Sequence, residues 1–311
     1  MLRFSFLEPI PPLPPLITNV SSQIPFSSAS SAPPNTCKLP PYQRPINIPR
    51  IIIQTVKSKD NIPVQWLPSQ KSIRTIMSHW EYKLFDDHDN RELVKEVCPE
   101  YLPYYDGFEF AIERVDFIRS VYMTKFGGLY MDCDYEVLKP LDELFEGIDL
   151  DGITSNGRFP LKPPNMYFVK SGNIGSFLTN SFFASSPGHP FWESYRRDMI
   201  KSNPWWAIGR HLKVMCQTGP LKLTWAVNKH LTSSSFSLLP QKLIIPCSVC
   251  DVGHCDTSSS YLAPLQGSSW CGWDSHVLIY LFCNLKKLIV GLILLILIGA
   301  GIWYWFKTRT S

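Results

Sequence analysis

The hydrophobic pattern of residues 46–145 alternates between two periods. Short apolar runs that end in polar residues predict buried strands, and apolar positions three or four residues apart predict helices with one buried face. The predicted strands cover residues 48–55, 81–85 and 129–131, and the predicted helices cover residues 68–79, 91–97 and 111–125. This order of elements predicts an α/β fold with a parallel sheet.

The pattern is weaker between residues 140 and 276. Here we predict helices at residues 140–145 and 187–200 and from Pro220 to about residue 230, and strands at residues 151–154, 166–169 and 243–245. Residues 246–276 are rich in Cys, Gly, Ser, His and Trp and are predicted to be mostly loop.

The two ends of the chain depart from this pattern. Residues 1–45 are rich in Pro and Ser and are predicted to be a disordered tail, because they cannot bury enough apolar area to order. Residues 288–306 carry no charge and would measure roughly 28 Å as a helix, enough to cross the core of a bilayer. We therefore predict a globular domain over residues 46–284 and a membrane anchor with a short tail over residues 285–311. Lysines flank the apolar run on both sides, so its orientation stays open.

Composition narrows the classes of function. Of the 311 residues, 45% are hydrophobic and 18% are charged, as expected for a globular domain with a membrane segment. The formal net charge of +4 is spread thinly along the chain. This distribution argues against a basic groove for nucleic acid.

Asp132 and Asp134 follow the apolar strand predicted at residues 129–131, and Gly127 and Gly128 precede it. Residues two apart in an extended chain point to the same side. Two carboxylates placed in this way repel each other unless a cation lies between them. A solvated acidic loop is the alternative, but the glycine pair and the buried strand favour a divalent-metal site.

The helix predicted at residues 111–125 carries charged residues just upstream of these aspartates. Asp116 and Arg119 are three residues apart and therefore neighbours on one helical face, and Arg114 precedes them. A surface ion pair is the simple alternative. Their position one element before the aspartate strand favours a role in holding sugar hydroxyls or phosphate.

A cluster of cysteines in the loop-rich segment has three interpretations. Cys247, Cys250, Cys255 and Cys271, together with His254, are ligand types of a tetrahedral zinc site. The alternatives are disulfides, which an oxidising compartment favours, and free thiols.

Residues 48–55, 114–119 and 127–134, taken in this order, resemble the D-x-D glycosyltransferases of family 32, and most of all the fungal inositol phosphoceramide mannosyltransferases. Weaker matches continue in the same order through Asn180, residues 187–191, residues 218–220 and residues 267–270 as far as Trp273-Asp274, so the resemblance covers roughly residues 46–276. It implies a GT-A fold, in which a Rossmann-like nucleotide-binding sheet carries the D-x-D at the end of a strand.

The resemblance also implies ligands and roles. Mn²⁺, or Mg²⁺, would bridge Asp132 and Asp134 to the diphosphate of a nucleotide sugar, with Asp134 as the more direct ligand. Asp116 and Arg119 would contact the donor sugar. Further donor-binding residues are expected at Gln54, Thr55, Arg114, Gly128, Tyr130, Ser269 and Trp270.

One block departs from the family. Related enzymes carry histidines around the Gly-Ser-Ser-Trp block at residues 267–270, one of which would be able to bind the metal. This chain has Pro264, Gln266 and Cys271 at the nearby positions. Asp274 and His276 are the remaining candidates for a third metal ligand.

The resemblance implies a metal-dependent, retaining transferase that moves mannose from GDP-mannose to a glycolipid or sphingolipid acceptor such as inositol phosphoceramide. The family works in the Golgi lumen, which implies a luminal domain on a single membrane span. The alternative is a catalytically silent relative that serves as a binding or regulatory subunit of such an enzyme. The intact D-x-D favours the enzyme, and the missing histidines favour the silent relative.

Overall fold

The computed structural model describes residues 48–145, 165–171, 177–232, 235–250, 255–267 and 270–309. The tail predicted at residues 1–45, the strand predicted at residues 151–154, His254 and Ser269 lie outside these ranges.

The described residues form two sets of elements. The strands are β1 (Ile51–Thr55), β2 (Glu81–Phe85), β3 (Gly128–Met131), β4 (Tyr135–Val137), β5 (Met166–Ser171), β6 (Phe177–Ser185), β7 (Ser237–Leu239) and β8 (Leu262–Pro264). The α-helices are α1 (Leu67–Ile76), α2 (Asp87–Val97), α3 (Leu102–Asp106), α4 (Ala111–Lys125), α5 (Phe191–Lys201), α6 (Gly209–Gln217), α7 (Pro220–His230), α8 (Gln241–Ile244) and α9 (Trp273–Arg309). Short 3₁₀ turns occur at Val64–Trp66, Pro99–Tyr101 and Asp142–Leu144.

The main sheet has the strand order β2-β1-β3-β6-β5-β7. Strand β1 runs parallel to β2 and β3, whereas β6 is antiparallel to β3 and β5. The predicted α/β fold with parallel strands is therefore confirmed, and the sheet as a whole is mixed. Because β1, β2 and β3 end at the same edge, the residues that follow them lie side by side there, where α/β sheets bind ligands.

Helices and loops cover both faces of this sheet. Successive strand residues point to opposite faces, so Ile53 and Tyr130 join one hydrophobic core, and Ile52 and Leu129 join the other. Helix α4 lies in the first core and is buried continuously from Asp116 to Thr124. The sequence predicted a single apolar face for this helix. The structure buries its polar residues as well, because α4 packs against β3 and β6 and also against α2 and α5.

Several predicted boundaries change. The strand predicted at residues 243–245 is wrong, because Gln241–Ile244 form the short helix α8. Helix α2 begins at Asp87 rather than residue 91, because Asp86 and Asp89 form a reciprocal capping box at its start. The loop-rich segment contains β8, which pairs with β4 directly after the D-x-D. Helix α6 was not predicted.

Helix α9 contains the predicted membrane span. It runs for 37 residues, and by length and composition it is apolar enough to cross a membrane. Its described apolar side chains from Leu288 to Trp305 are exposed.

Candidate active site

The carboxyl ends of β1, β2 and β3 meet the first half of α4 around a cavity of about 500 Å³. Residues on α6 and Trp270 close its other side. The lining comprises Thr55, Val56, Lys57, Trp66, Asp87, Ala111, Ile112, Val115, Asp116, Arg119, Tyr130, Asp132, Cys133, Asp134, Asn180, Arg210, Val214, Pro220 and Trp270. The cavity therefore occupies the crevice in which α/β folds bind nucleotides.

A pair of hydrogen bonds links α4 to the D-x-D. Arg119 donates from Nη1 to Asp116 Oδ1 and from Nη2 to Asp132 Oδ1, each over 2.9 Å. Arg119 and Asp116 are buried, which excludes the surface ion pair considered from the sequence. Burial lowers the pKa of Arg119, but the carboxylate of Asp132 and the other acidic groups nearby hold that pKa above its usual range. The guanidinium is therefore charged at any physiological pH.

Asp116 has partners from two other elements. Asn180 on β6 donates to its Oδ1 over 2.8 Å, and the Thr218 hydroxyl donates to its Oδ2 over 2.8 Å. Burial raises the pKa of Asp116 to about 6, although Arg119 opposes this shift. Asp116 lines the cavity, and its contact with the donor sugar stays a prediction. The structure shows that Asp116 also holds Arg119 in place.

Tyr130 supports the first aspartate from within β3. Its hydroxyl donates to Asp132 Oδ1 over 2.5 Å, and the Arg119 guanidinium carbon lies 4.8 Å from the centre of its ring. Burial raises the pKa of Asp132, and the charge of Arg119 lowers it. One oxygen of Asp132 thus receives two protein donors.

Asp134 is placed differently. Its Oδ1 is buried and has no hydrogen-bond partner among the described residues. Burial, followed by the charge of Asp132, raises the pKa of Asp134 to about 7. A buried, unpartnered carboxylate oxygen beside a second carboxylate fits a hard divalent cation, which prefers oxygen ligands and offsets the repulsion. These two residues therefore fit the implied Mn²⁺ or Mg²⁺.

The segment after β8 returns over Asp134. Leu265 donates its N–H to the backbone oxygen of Asp134 over 2.7 Å, and Trp66 donates from Nε1 to the backbone oxygen of Gln266 over 2.8 Å. Gly267 lies so close that an added Cβ would overlap Asp134 Oδ2. Glycine is required here because the backbone approaches the carboxylate directly.

Three predicted donor-binding residues do not line the cavity. Gln54 is fully buried and donates from Nε2 to the backbone oxygen of Asp132 over 3.1 Å, so it positions the D-x-D. Gly128 has a φ of +83°, and an added Cβ would lie 2.5 Å from the backbone oxygen of Ile51, so this glycine allows β3 to leave α4 beside β1. Arg114 donates from Nη1 to the backbone oxygen of Phe108 over 3.1 Å.

The cavity also contains charged residues that sequence reasoning missed. Lys57 follows β1, Asp87 begins α2 and Arg210 lies in the first turn of α6. Two basic groups beside the D-x-D suit an anionic ligand such as a diphosphate. Asn180 and the Thr218-Gly219-Pro220 block belong to the family resemblance, so the sequence did indicate that these residues lie near the site. Nothing in the local sequence indicated that Lys57 and Arg210 line the same cavity, because only the fold brings their segments together.

A model of the family described as "Glycosyltransferase sugar-binding region containing DXD motif" matches residues 63–150. This range includes α4 and both aspartates of the D-x-D. The chain resembles the D-x-D glycosyltransferases. The resemblance expected from the sequence is thereby confirmed, and it rests on the part of the chain that forms most of the cavity.

Two fungal relatives are similar over a longer range. Inositol phosphoceramide mannosyltransferase 2 of Schizosaccharomyces pombe is 26% identical over 247 residues, which are 78% of this chain and 64% of that protein. Mannosyl phosphorylinositol ceramide synthase SUR1 of Saccharomyces cerevisiae is 29% identical over 181 residues, which are 58% of this chain and 42% of that protein. The chain spans less than two thirds of the length of these relatives. Among solved structures, PaToxG glycosyltransferase aligns with a TM-score of 0.42 at 13% identity, over 60% of this chain and 71% of its own.

The structure does not bring the expected third metal ligands to the D-x-D. Asp274 Oδ2 accepts a hydrogen bond of 2.7 Å from the N–H of His211, and His276 is exposed in the first turns of α9. Neither side chain is among the described residues that line the cavity. Trp270 does line it, and its ring stacks on His211 with centroids 5.0 Å apart.

The cysteine cluster forms disulfides in the structure. Cys247 pairs with Cys255, and Cys250 pairs with Cys283 on α9. Cys271 is free. Paired cysteines have no thiolate to offer a metal, so of the three interpretations the structure supports disulfides.

Proposed function

We propose that this protein is a metal-dependent glycosyltransferase that uses a nucleotide-sugar donor. The observation that supports this proposal best is the unequal placement of the two aspartates. Asp132 is held by Arg119 and Tyr130, whereas Asp134 presents a buried oxygen without a partner among the described residues. A cation bound there would neutralise the charge that develops on the departing nucleoside diphosphate.

The side chains around the cavity would orient the reactants. Lys57 and Arg210 attract the diphosphate, and Arg119 keeps the carboxylate of Asp132 in a fixed direction. Asp116 holds the guanidinium of Arg119 through a hydrogen bond of 2.9 Å. Preorganised groups of this kind supply a large share of the rate enhancement, because they do not need to reorganise during the reaction.

We further propose that the donor is GDP-mannose and that the acceptor is inositol phosphoceramide or a related sphingolipid, with retention at the sugar. The support is the name of the fungal relative, which describes it as an inositol phosphoceramide mannosyltransferase. Because the chain covers only 64% of that relative, the activity of the whole protein is part of the proposal.

A donor panel tests this function. The full chain with Mn²⁺ is incubated with GDP-mannose, GDP-fucose, UDP-glucose or UDP-galactose, with and without inositol phosphoceramide, and release of the nucleoside diphosphate is measured. We expect release from GDP-mannose, dependent on metal and stimulated by the acceptor. Preference for another donor would overturn the choice of sugar. Metal-dependent GDP binding without turnover would favour the silent subunit. The absence of Asp274 and His276 from the described lining of the cavity favours the same alternative.

We propose that residues 288–306 of α9 cross a membrane once and that the domain lies in the Golgi lumen. The length and apolar composition of α9 support the span, and the disulfides support an oxidising compartment. Deletion of residues 285–311 should release the protein from carbonate-washed membranes. Retention after this deletion would reveal another anchor.

A further inference from the structure

Large apolar side chains are exposed in the loop between α5 and α6 and at the start of α9. Trp205 and Ile208 are each 86% exposed, Trp206 is 53% exposed and Trp273 is 80% exposed. Single exposed apolar residues are normal, whereas a cluster marks an interaction surface. We call these four residues the tryptophan patch.

A contact between α6 and α9 brings the two parts of the patch together. At Gly209 the backbone has a φ of +84°, and an added Cβ would lie 3.0 Å from Asp274 Oδ2. The same oxygen accepts the N–H of His211 over 2.7 Å. Ile208 and Trp273 immediately precede the two residues that meet, Gly209 and Asp274, so they lie on either side of one contact.

The same contact adjoins the wall of the cavity. Arg210, two residues after Ile208, lines the cavity and lies over the ring of Phe110, with its guanidinium carbon 5.1 Å from the ring centre. Trp270, three residues before Trp273, also lines the cavity and stacks on His211. The patch is therefore continuous with the cavity wall on one side and with α9 on the other.

We propose that the tryptophan patch inserts into the headgroup region of a lipid bilayer and holds the cavity at the membrane surface. Indole rings favour this depth, because they combine a large apolar body with a polar N–H. Trp273 of the patch is the first residue of α9, and α9 continues into the apolar segment that fits a membrane span. The membrane contact itself does not depend on the proposed function. Its purpose does, because the contact would bring the cavity to a lipid-linked acceptor.

The span alone would not bring the cavity to the membrane. The helix from Asp274 to Leu288 rises about 21 Å, so an upright α9 would hold the contact with α6 well above the bilayer. A tilt of about 20°, the average for spanning helices, lowers this contact by only about 1 Å, so the patch reaches the headgroups only if residues 277–285 lie in the membrane interface as well. The exposed apolar residues Val277, Tyr280 and Leu281 on the intervening turns are compatible with such a position.

Photo-crosslinking tests the contact without requiring activity. Benzoylphenylalanine replaces Trp206 or Ile208 in the full chain, which is reconstituted into vesicles of phosphatidylcholine and phosphatidylinositol. The matched control is the same replacement at Tyr104 on α3, an exposed aromatic residue outside the patch. We expect lipid adducts at positions 206 and 208 and none at 104. Absence of lipid adducts at 206 and 208, equal labelling at 104, or cross-links to a second copy of the chain would overturn the proposal.

A functional measurement tests its purpose. The variant Trp205→Ser with Trp206→Ser and Ile208→Ser should transfer sugar to a bilayer-embedded acceptor about tenfold more slowly, because it loses apolar area at the interface. Donor hydrolysis and transfer to a short-chain, water-soluble acceptor should be unchanged. An equal loss in all three assays would contradict the inference, since the patch would then support the fold. Lipid adducts in a protein without any transfer would overturn the proposed function and leave the membrane contact intact.

Discussion

Arg119 and Asp132 are joined by a hydrogen bond of 2.9 Å, although they lie 13 residues apart on α4 and after β3. This bond ties the first carboxylate of the D-x-D to the helix packed against the sheet. The second carboxylate, Asp134, has a buried oxygen without a partner among the described residues. The two aspartates therefore differ in role: the protein holds one, and the other is available to a cation.

The fork geometry of Arg119 can be tested with Arg119→Lys. A lysine ammonium cannot reproduce the planar pair of bonds to Asp116 and Asp132, so we expect turnover to fall by about 10²-fold through mispositioning of the reactants. GDP affinity should change little. Transfer rates and calorimetry measure both quantities, and circular dichroism checks folding. Arg91→Lys is the matched control, because Arg91 makes a similar fork to Asp106 on the surface. A fully active Arg119→Lys protein would contradict this role.

The metal role predicts a different result for Asp134→Asn. The wild-type chain should bind GDP more tightly with Mn²⁺ than with EDTA, and the variant should bind GDP equally weakly in both, because a neutral amide is a poor ligand for a hard cation. Calorimetry measures the four affinities. Asp60→Asn, a change at an exposed aspartate, should behave as wild type. If the wild-type affinity is the same with and without metal, Asp134 is not a metal ligand.

Gly267→Ala should disturb the same carboxylate by steric means. The added methyl group would overlap Asp134 Oδ2, so the carboxylate must move. We expect weaker metal-dependent GDP binding and slower transfer in a chain that still folds, as judged by its thermal unfolding. Gln266→Ala changes an exposed side chain next to it and should have no effect. Unchanged metal dependence in Gly267→Ala would show that Oδ2 is not needed.

Thr218→Val removes the donor to Asp116 Oδ2 while nearly conserving the volume of the side chain. A buried carboxylate oxygen loses a partner, which should lower the free energy of unfolding by about 1–3 kcal/mol. Urea unfolding of the solubilised chain measures this change. Thr218→Ser keeps the hydroxyl and should retain most of the stability. Equal losses in both variants would assign the effect to packing of the methyl group instead.

The disulfide from Cys250 to Cys283 joins a loop of the domain to α9 across a sequence separation of 33. Closing a loop of that size stabilises a chain by roughly 3–4 kcal/mol in the chain-entropy model. Replacing both residues by Ser should therefore lower the melting temperature, whereas Cys271→Ser, at a free cysteine, should not. Mass spectrometry of a non-reduced digest should find the linked peptides. Alkylation of Cys250 and Cys283 without reduction would contradict the pairing.

The elements around the D-x-D could be predicted closely because each has a strong local pattern. The bounds predicted for β2 and α4 agree with the structure, and β3 differs only at its first residue. The position of β6 between β3 and β5 could not be predicted in this way. The hydrophobic pattern of a strand predicts which of its faces is buried, but it does not indicate which distant strand pairs with its edge.

By itself, the sequence determined the chemistry at the end of β3. An apolar strand followed by aspartates two residues apart predicts neighbouring carboxylates, and the charge of Asp132 does raise the pKa of Asp134, although residues 133–134 form a turn rather than extended chain. Only the tertiary structure decided that these carboxylates differ. Asp132 accepts a hydrogen bond from Arg119 on α4. Arg119 is also bonded to Asp116, which residues on β6 and before α7 hold in place. Asp134, in contrast, lies against the backbone of Gly267. Burial and hydrogen bonding set the role of a charged group, and both arise here from segments that are far apart in the chain.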